Sequence, residues 1–403
     1  MAANEVLLHI KDSFYFEVPK WLWPHDHKTV QDFPDVWVRL DPQFQEWQAK
    51  QVYNTLSGEE LEGLPNEHDF LHNYEHWKHE EGNHGKPVQR YLAELAAPKE
   101  QGGEDLAWAK NGHEIATAIT VDQYKSSEAA KWAPEKIKGY NHALSGKILI
   151  PQPPGTKLRN LYEKEAGFAL SKFMVIEVFV AIIIAVVFIA YARRIAGGKL
   201  PKGTLWNMLD VFITFIRDQV AKANIHHGAD KFVATLWSLF FFVLGCNLFG
   251  LIPWMGSPTG SISVTITLAV AVLFIGMIAG TKEFGVIGVW KNLVPSMDLP
   301  FILAIFILPM MFVIEVMGMM IKHAVLGVRL LANMVAGHVV LLAVMGLAIA
   351  VQDQGYLLAL PVMVIVLAGS ILLSCLELFV AFLQAYVFAL LAALFINAET
   401  HSH

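Results

Sequence analysis

Apolar and polar positions are distributed very unevenly along this chain of 403 residues. Up to about residue 168, polar and charged residues interrupt every apolar run. Beyond that point long apolar runs dominate. A helix needs about 20 mostly apolar residues to cross roughly 30 Å of hydrocarbon. The first run of that kind extends from Ala169 to Ala192, with Glu177 as its only acidic residue. The second extends from Phe232 to Ile252 and stops at Pro253, and the third from Ile262 to Gly280. A continuous apolar stretch then covers Phe301–Val351, and after the polar break Gln352-Asp353-Gln354-Gly355 another covers Tyr356–Ile396. Phe301–Val351 is too long for one upright helix, so it is either two spans or one steeply tilted helix. The pattern predicts an all-α membrane protein.

The segment Thr204–Lys222 has a different pattern. Leu205, Leu209, Phe212, Phe215 and Ile216 recur at helical spacing, with Asp210, Arg217 and Asp218 elsewhere. This predicts an amphipathic helix lying at the cytoplasmic membrane interface, with a soluble connector helix as the alternative. Basic residues follow the first run (Arg193, Arg194, Lys199, Lys202), lie between the first two runs (Arg217, Lys222, Lys231) and follow the third (Lys282, Lys291). The positive-inside rule puts those segments in the cytoplasm, which places the N-terminal region outside and the C-terminus inside.

Residues 1–165 read as a separate, loop-rich extramembrane region, and residues 166–403 as the membrane domain. The Pro-rich stretch Pro151-Gln152-Pro153-Pro154-Gly155 marks the boundary. Seven tryptophans between Trp21 and Trp132 argue against disorder in the first region. His68, His72 and His76 are spaced four apart there and would share one helical face, as a metal site requires. Their neighbours Glu67, Asp69, Glu75 and Glu80 equally suit a solvated polar helix, so they are weak metal candidates. Overall composition, 55% hydrophobic and 16% charged, averages two unlike halves, and the net charge of −6 gives no sign of nucleic-acid binding. Cys246 and Cys375 both lie in apolar runs, which makes a disulfide framework unexpected.

Between Phe301 and Ile396 only Glu315, Lys322, Arg329, Asp353 and Glu377 carry charge, and His323 and His338 add two titratable rings. A charge at mid-membrane costs at least about 2.5–3.5 kcal/mol, so such groups normally face a protein interior or a hydrated cavity. Glu315, Lys322 and Arg329 are seven apart, and Asn333 is four beyond Arg329, so the four form one stripe. His338 lies nine beyond Arg329, on roughly the opposite side. Folding the two long runs about the polar break pairs Arg329 with Gln384 (midpoint 356.5) and His338 with Glu377 (midpoint 357.5). Arginine stays protonated, so it can hold a facing carboxylate ionised but cannot relay a proton. His and Glu can both titrate and can pass protons along a hydrated path.

The run LGVRLLANMVAGHVV (Leu326–Val340) resembles the signature of the subunit a family of F-type ATP synthases. CNLFGLIP (Cys246–Pro253), PTG (Pro258–Gly260), SISVTITLAV (Ser261–Val270) and LQAYVF (Leu383–Phe388) are similar to family segments in the same order, and Asn247 and Pro253 belong to that structural motif. LSKFMVI (Leu170–Ile176) resembles the family's entry into its first membrane helix. The resemblance implies five spanning helices plus one interfacial helix, the last two long and tilted as a hairpin. It implies a stator with two aqueous half-channels beside a rotating ring of subunit c, in a bacterial inner membrane. Arg329 then matches the arginine that separates the half-channels, with Asn333 and Gln384 beside it. Lys322 and Glu315 match positions toward the cytoplasmic exit, and His338 with Glu377 a pair lining the entry. Gly250 stands where some members carry an acidic residue, which removes it from the expected path.

Implied partners are the c-ring, the subunit b stalk, other ATP synthase subunits and membrane lipid. No cofactor and no catalytic residue is implied, and no Gly-rich loop ending in Lys-Ser/Thr is present to cradle ATP. A stand-alone transporter would predict inverted repeats and broken helices. A metal or partner binder acting through the His-rich region would leave the intramembrane charges unexplained.

Overall fold

The structure is a computed structural model that describes residues 11–59, 61–80, 83, 85–98, 103–196, 203–225, 228–252, 254–292, 301–351 and 356–400. Its chain forms two compact units. One is Ser13–Leu170; the other comprises Ser171–His403 with the start of the chain as far as Asp12.

The region expected to be loop-rich carries seven α-helices among its described residues. They are α1 (Asp35–Arg39), α2 (Pro42–Ser57), α3 (Glu67–His79), α4 (Val88–Ala96), α5 (Ala107–Ala118), α6 (Val121–Lys125) and α7 (Pro134–Leu144). Aromatic spacing is the reason. Phe70, Tyr74 and Trp77 fall on one face of α3 and pack against Tyr91 and Leu92 of α4 and Trp108 of α5. Each such ring buries about 150–250 Å², at roughly 25 cal/mol per Å² of apolar area. Caps fix where helices begin. The Asp41 carboxylate accepts from the backbone N–H groups of Gln43 (2.9 Å) and Phe44 (3.3 Å), and Pro42 occupies the first helical position. Asn66 caps α3 through the N–H of Asp69 at 2.8 Å. An antiparallel pair, β1 (Tyr15–Glu17) with β2 (Lys147–Leu149), closes the unit by joining its two ends, and β3 (Lys157–Leu158) pairs with β4 (Lys164–Ala166).

The second unit is built from α8 (Lys172–Ala196), α9 (Thr204–Phe215), α10 (Ala229–Gly250), α11 (Ile262–Asn292), α12 (Phe301–Val351) and α13 (Tyr356–Thr400). Five of these helices, all but α9, are long and apolar enough to cross a membrane. Together with the apolar runs they make the chain a multi-pass membrane protein. The choice left open for Phe301–Val351 is resolved as one continuous helix of 51 residues, with Pro309 inside it. At 1.5 Å per residue it is about 77 Å long, more than twice the hydrocarbon thickness. A helix of that length must run obliquely or extend beyond the bilayer. Helix α13, with 45 residues, packs back along it.

Small residues let the long helices approach. Ala385, Ala389, Ala392 and Ala393 on α13 are fully buried beside Val233, Leu236 and Phe240 of α10 and Leu326 and Leu330 of α12. Gly327 lies where a Cβ would come within 2.9 Å of the Thr265 carbonyl oxygen, so α11 and α12 touch there backbone to backbone.

Helix α9 departs from the simple amphipathic expectation. Leu209 and Ile216 are buried, but Leu205 is 75% and Phe215 40% exposed. The predicted single apolar face is two: one packs on the protein, through Leu209, Ile213 and Ile216, and the other points outward through Leu205, Met208 and Val211. The helix continues as a π-helical turn, Ile216–Ala221. Asp210 accepts a short hydrogen bond from the Tyr191 hydroxyl of α8, and Arg217 pairs with Asp230 at 3.3 Å.

Candidate functional site

The hairpin of α12 and α13 brings four polar residues into one seam. The Asn333 side-chain amide donates to the Gln384 carbonyl oxygen at 2.6 Å. Two turns along α13, Glu377 places Oε1 2.8 Å from Nδ1 of His338. Gln384 is 2% exposed, and the His338 and Glu377 side chains are mostly buried, at 22% and 11% exposure. Asn333 is half-buried. Gly337 makes room for the acid: a Cβ there would sit 2.8 Å from Glu377 Oε1. The glycine next to His338 is thus needed for the carboxylate to reach the ring.

His338 is held from three sides. Nδ1 is also 3.0 Å from the Met334 carbonyl, and Nε2 is 3.1 Å from the Gly250 carbonyl of α10. Whichever nitrogen carries the proton, an acceptor oxygen stands within hydrogen-bond range. Gly250, which has no side chain to offer the path, therefore belongs to the site through its backbone. Its lack of a side chain also matters, because a Cβ there would fall 2.3 Å from Met334 Cε and 2.6 Å from Ser257 Cβ. A sequence offers little warning of such a residue, since a carbonyl is common to every position.

Asn247 anchors the far wall. It is 1% exposed, donates to the Ala381 carbonyl at 3.3 Å and accepts from the Thr259 hydroxyl at 2.7 Å. Thr259 lies in the Pro258–Gly260 turn, so two of the quoted sequence segments meet through this pair. Pro253 lies outside the described residues. Asn247, Asn333, Glu377 and Gln384 border a cavity of about 10 Å³, room for about one water molecule.

Arg329 is placed differently. Folding the two runs about the polar break pairs it with Gln384, but the partner of Gln384 is Asn333, one turn further along α12. The Arg329 side chain is exposed on the surface of the chain, and among the described residues no acid pairs with it. Its neighbours Val325 and Val328 are exposed as well, at 48% and 51%. Two turns earlier, Lys322 and Glu315 form an ion pair at 3.8 Å, which keeps the predicted stripe on one face of α12. His323, beside Lys322, is 4% exposed, packs at a tilt against the Phe395 ring of α13 with centroids 4.4 Å apart and directs Nδ1 to the Met319 carbonyl at 2.9 Å.

The histidines of α3 do not converge. His68 and His72 stack at 6.1 Å, while His76 approaches Glu80 at 3.8 Å. Among the described residues no three His, Cys, Asp or Glu side chains are grouped to hold a metal. Cys246 is buried and Cys375 exposed, and both are free thiols.

Known proteins are similar to this chain in sequence. The family profile described as ATP synthase A chain matches residues 174–397, more than half of the chain. The chain belongs to the ATP synthase A chain family. Its similarity to individual members extends further. It is 34% identical over 289 residues to a Chloroherpeton thalassium protein named ATP synthase subunit a, covering 67% of this chain and 81% of that one. A protein of the same name from Pelodictyon phaeoclathratiforme is 33% identical over 298 residues, covering 72% of this chain and 84% of the relative. The Myxococcus xanthus relative of that name is 33% identical over 254 residues, covering 62% and 80% respectively. Every element of the polar seam, from Asn247 to Gln384, falls inside the matched range.

Proposed function

We propose that this chain is the proton-conducting stator of the membrane sector of an ATP synthase. In this reading it forms two aqueous half-channels against a rotating c-ring and couples proton flow to ATP synthesis. It acts with the subunit b stalk and the remaining subunits in a bacterial inner membrane, with its N-terminus outside and its C-terminus in the cytoplasm.

One observation carries the proposal. Arg329 is a cation on an apolar helix, exposed to the outside of the chain, while the titratable pair His338–Glu377 is buried in the seam behind it. A guanidinium left facing hydrocarbon is costly, so its counter-charge must come from another chain. A carboxylate carried past on a rotor subunit would supply that charge. Arg329 would hold it ionised while close and force it to lose its proton. It cannot pass a proton itself, so it also separates the two half-channels.

His338 and Glu377 then deliver protons on the entry side. Their 2.8 Å contact, and the acceptor oxygens of Met334 and Gly250, give the ring an acceptor in each direction. Asn333 and Gln384 cross-link the two helices beside the arginine and keep the seam polar. Glu315 and Lys322 lie on the opposite side of Arg329 along α12, where the exit path would run. Each proton crossing the membrane gains about 2.3 kcal/mol per 100 mV, and the rotor sums several of them.

The test is Arg329→Ala in membranes containing the assembled complex. ATP-driven proton pumping is expected to be abolished while the complex still assembles. Pumping at the unmodified rate would sink the proposal.

A further inference from the structure

A second site is formed where α8 meets α10. Between these helices runs a cleft of about 170 Å³, lined almost wholly by apolar atoms. Val180, Ile184 and Phe188 form one wall, and Phe241, Gly245 and Leu248 the other. Gly245 marks the pinch point, since a Cβ there would lie 2.6 Å from Val180 Cγ1. The Phe188 and Phe241 rings meet edge to face at 5.2 Å, next to Leu209 of α9.

The end of the cleft near Phe188 leads toward positive charge. Tyr191, one turn beyond Phe188, stacks on Trp206 of α9 at 6.2 Å, and the Arg194 guanidinium lies over the same Trp206 ring at 5.5 Å. The nearby acid, Asp210, is engaged by the Tyr191 hydroxyl. Among the described residues no carboxylate pairs with Arg194, and its buried Nε has no acceptor. The apolar slot is thus linked through Tyr191 and Trp206 to a cation that has no carboxylate partner among the described residues.

The lining selects the occupant. Its walls are aliphatic and aromatic with almost no polar atom, so it suits a hydrocarbon chain. Six residues separate Phe188 from Arg194, about 9 Å along the axis. That is comparable to the 5–8 Å or so by which headgroups extend past the hydrocarbon on each side.

We propose that this cleft binds an anionic phospholipid, with an acyl chain between α8 and α10 and its phosphate on Arg194. Guanidinium is well suited to phosphate, and a zwitterionic lipid would bring its own cation to the same place. The site is independent of the seam between α12 and α13.

The experiment uses the assembled complex in detergent and a phosphatidylglycerol carrying a diazirine on its acyl chain. Photolabelling is expected on residues 180–188 and 241–249. Unlabelled phosphatidylglycerol should compete, and phosphatidylcholine should not. Arg194→Gln should lower labelling about fivefold, in line with roughly 1 kcal/mol per basic residue at a membrane surface. Arg194→Lys should retain most of it, and Ile184→Trp should block the slot outright. Equal competition by phosphatidylcholine would reduce the cleft to ordinary lipid solvation and overturn the proposal. So would labelling indifferent to Arg194→Gln, or a cross-link from Ile184→Cys to another polypeptide.

Discussion

Asn333 donates a 2.6 Å hydrogen bond to Gln384, tying α12 to α13 one turn beyond Arg329. The bond crosses 51 positions of sequence, and Gln384 is 2% exposed. Removing Asn333 leaves the buried Gln384 carbonyl oxygen unsatisfied, which costs about 1–3 kcal/mol. Asn333→Ala and Gln384→Ala are therefore expected to be non-additive. In a double-mutant cycle on ATP-driven pumping, the double variant should lose little more than either single one. Simple additivity would mean that the two side chains act separately.

Glu377 and His338 make a second prediction. Glu377→Gln removes the titratable acid and keeps its shape, so pumping should fall by about 10²-fold, the scale of lost acid–base catalysis. Exchange of the two residues, His338→Glu with Glu377→His, should restore only part of the activity. The acid would then face the Gly250 carbonyl that Nε2 of His338 now faces at 3.1 Å, and two acceptors repel. Full recovery in the exchanged variant would show that the Gly250 contact is irrelevant.

Two glycines of α12 should fail in different ways. A methyl at Gly337 meets the flexible end of Glu377 at 2.8 Å. Gly337→Ala should leave assembly intact and slow pumping by displacing the acid. At Gly327 the obstacle is the backbone carbonyl of Thr265 at 2.9 Å. Gly327→Ala should cost about 1–3 kcal/mol of stability, read as a lower yield of assembled complex in detergent.

The N-terminal unit should be acid-sensitive through His27. Burial first, then the stacked His25 ring 5.1 Å away, holds the His27 pKa below its ordinary value. A histidine kept neutral on folding contributes stability above its unfolded pKa of about 6.5. That contribution is lost as pH falls through the unfolded value toward the lower folded one. Limited proteolysis of membranes should cut this unit faster at pH 5.5 than at pH 7.5, the two values being chosen about one unit either side of 6.5. His27→Gln should flatten the dependence, and an unchanged pH profile in that variant would point to another group.

The aromatic core of the same unit gives a stability test. Phe70 is fully buried between Tyr53, Tyr91 and Trp108. Phe70→Ala should cost about 3–5 kcal/mol and raise protease sensitivity within Ser13–Leu170. Proton pumping by the membrane unit should change far less.

Much of this protein was decided by sequence alone. Long apolar runs admit no soluble alternative, because exposed they would cost more than folding could return, and each became a helix, the third running on past Gly280 to Asn292. The buried level of His338 and Glu377 was also readable, because two antiparallel helices joined by a short break fix which residues share a depth. Tertiary structure decided what faces what. Whether Phe301–Val351 turns or continues depends on a partner helix to pack along, and α13 supplies one. Gln384 meets Asn333 rather than Arg329 because close packing through the α13 alanines sets axial offset and rotation, which residue counting leaves free. Gly250 entered the site through a carbonyl, a group every residue carries and no pattern reveals. The outward turn of Arg329 is likewise a matter of helix rotation, which residue counting leaves free.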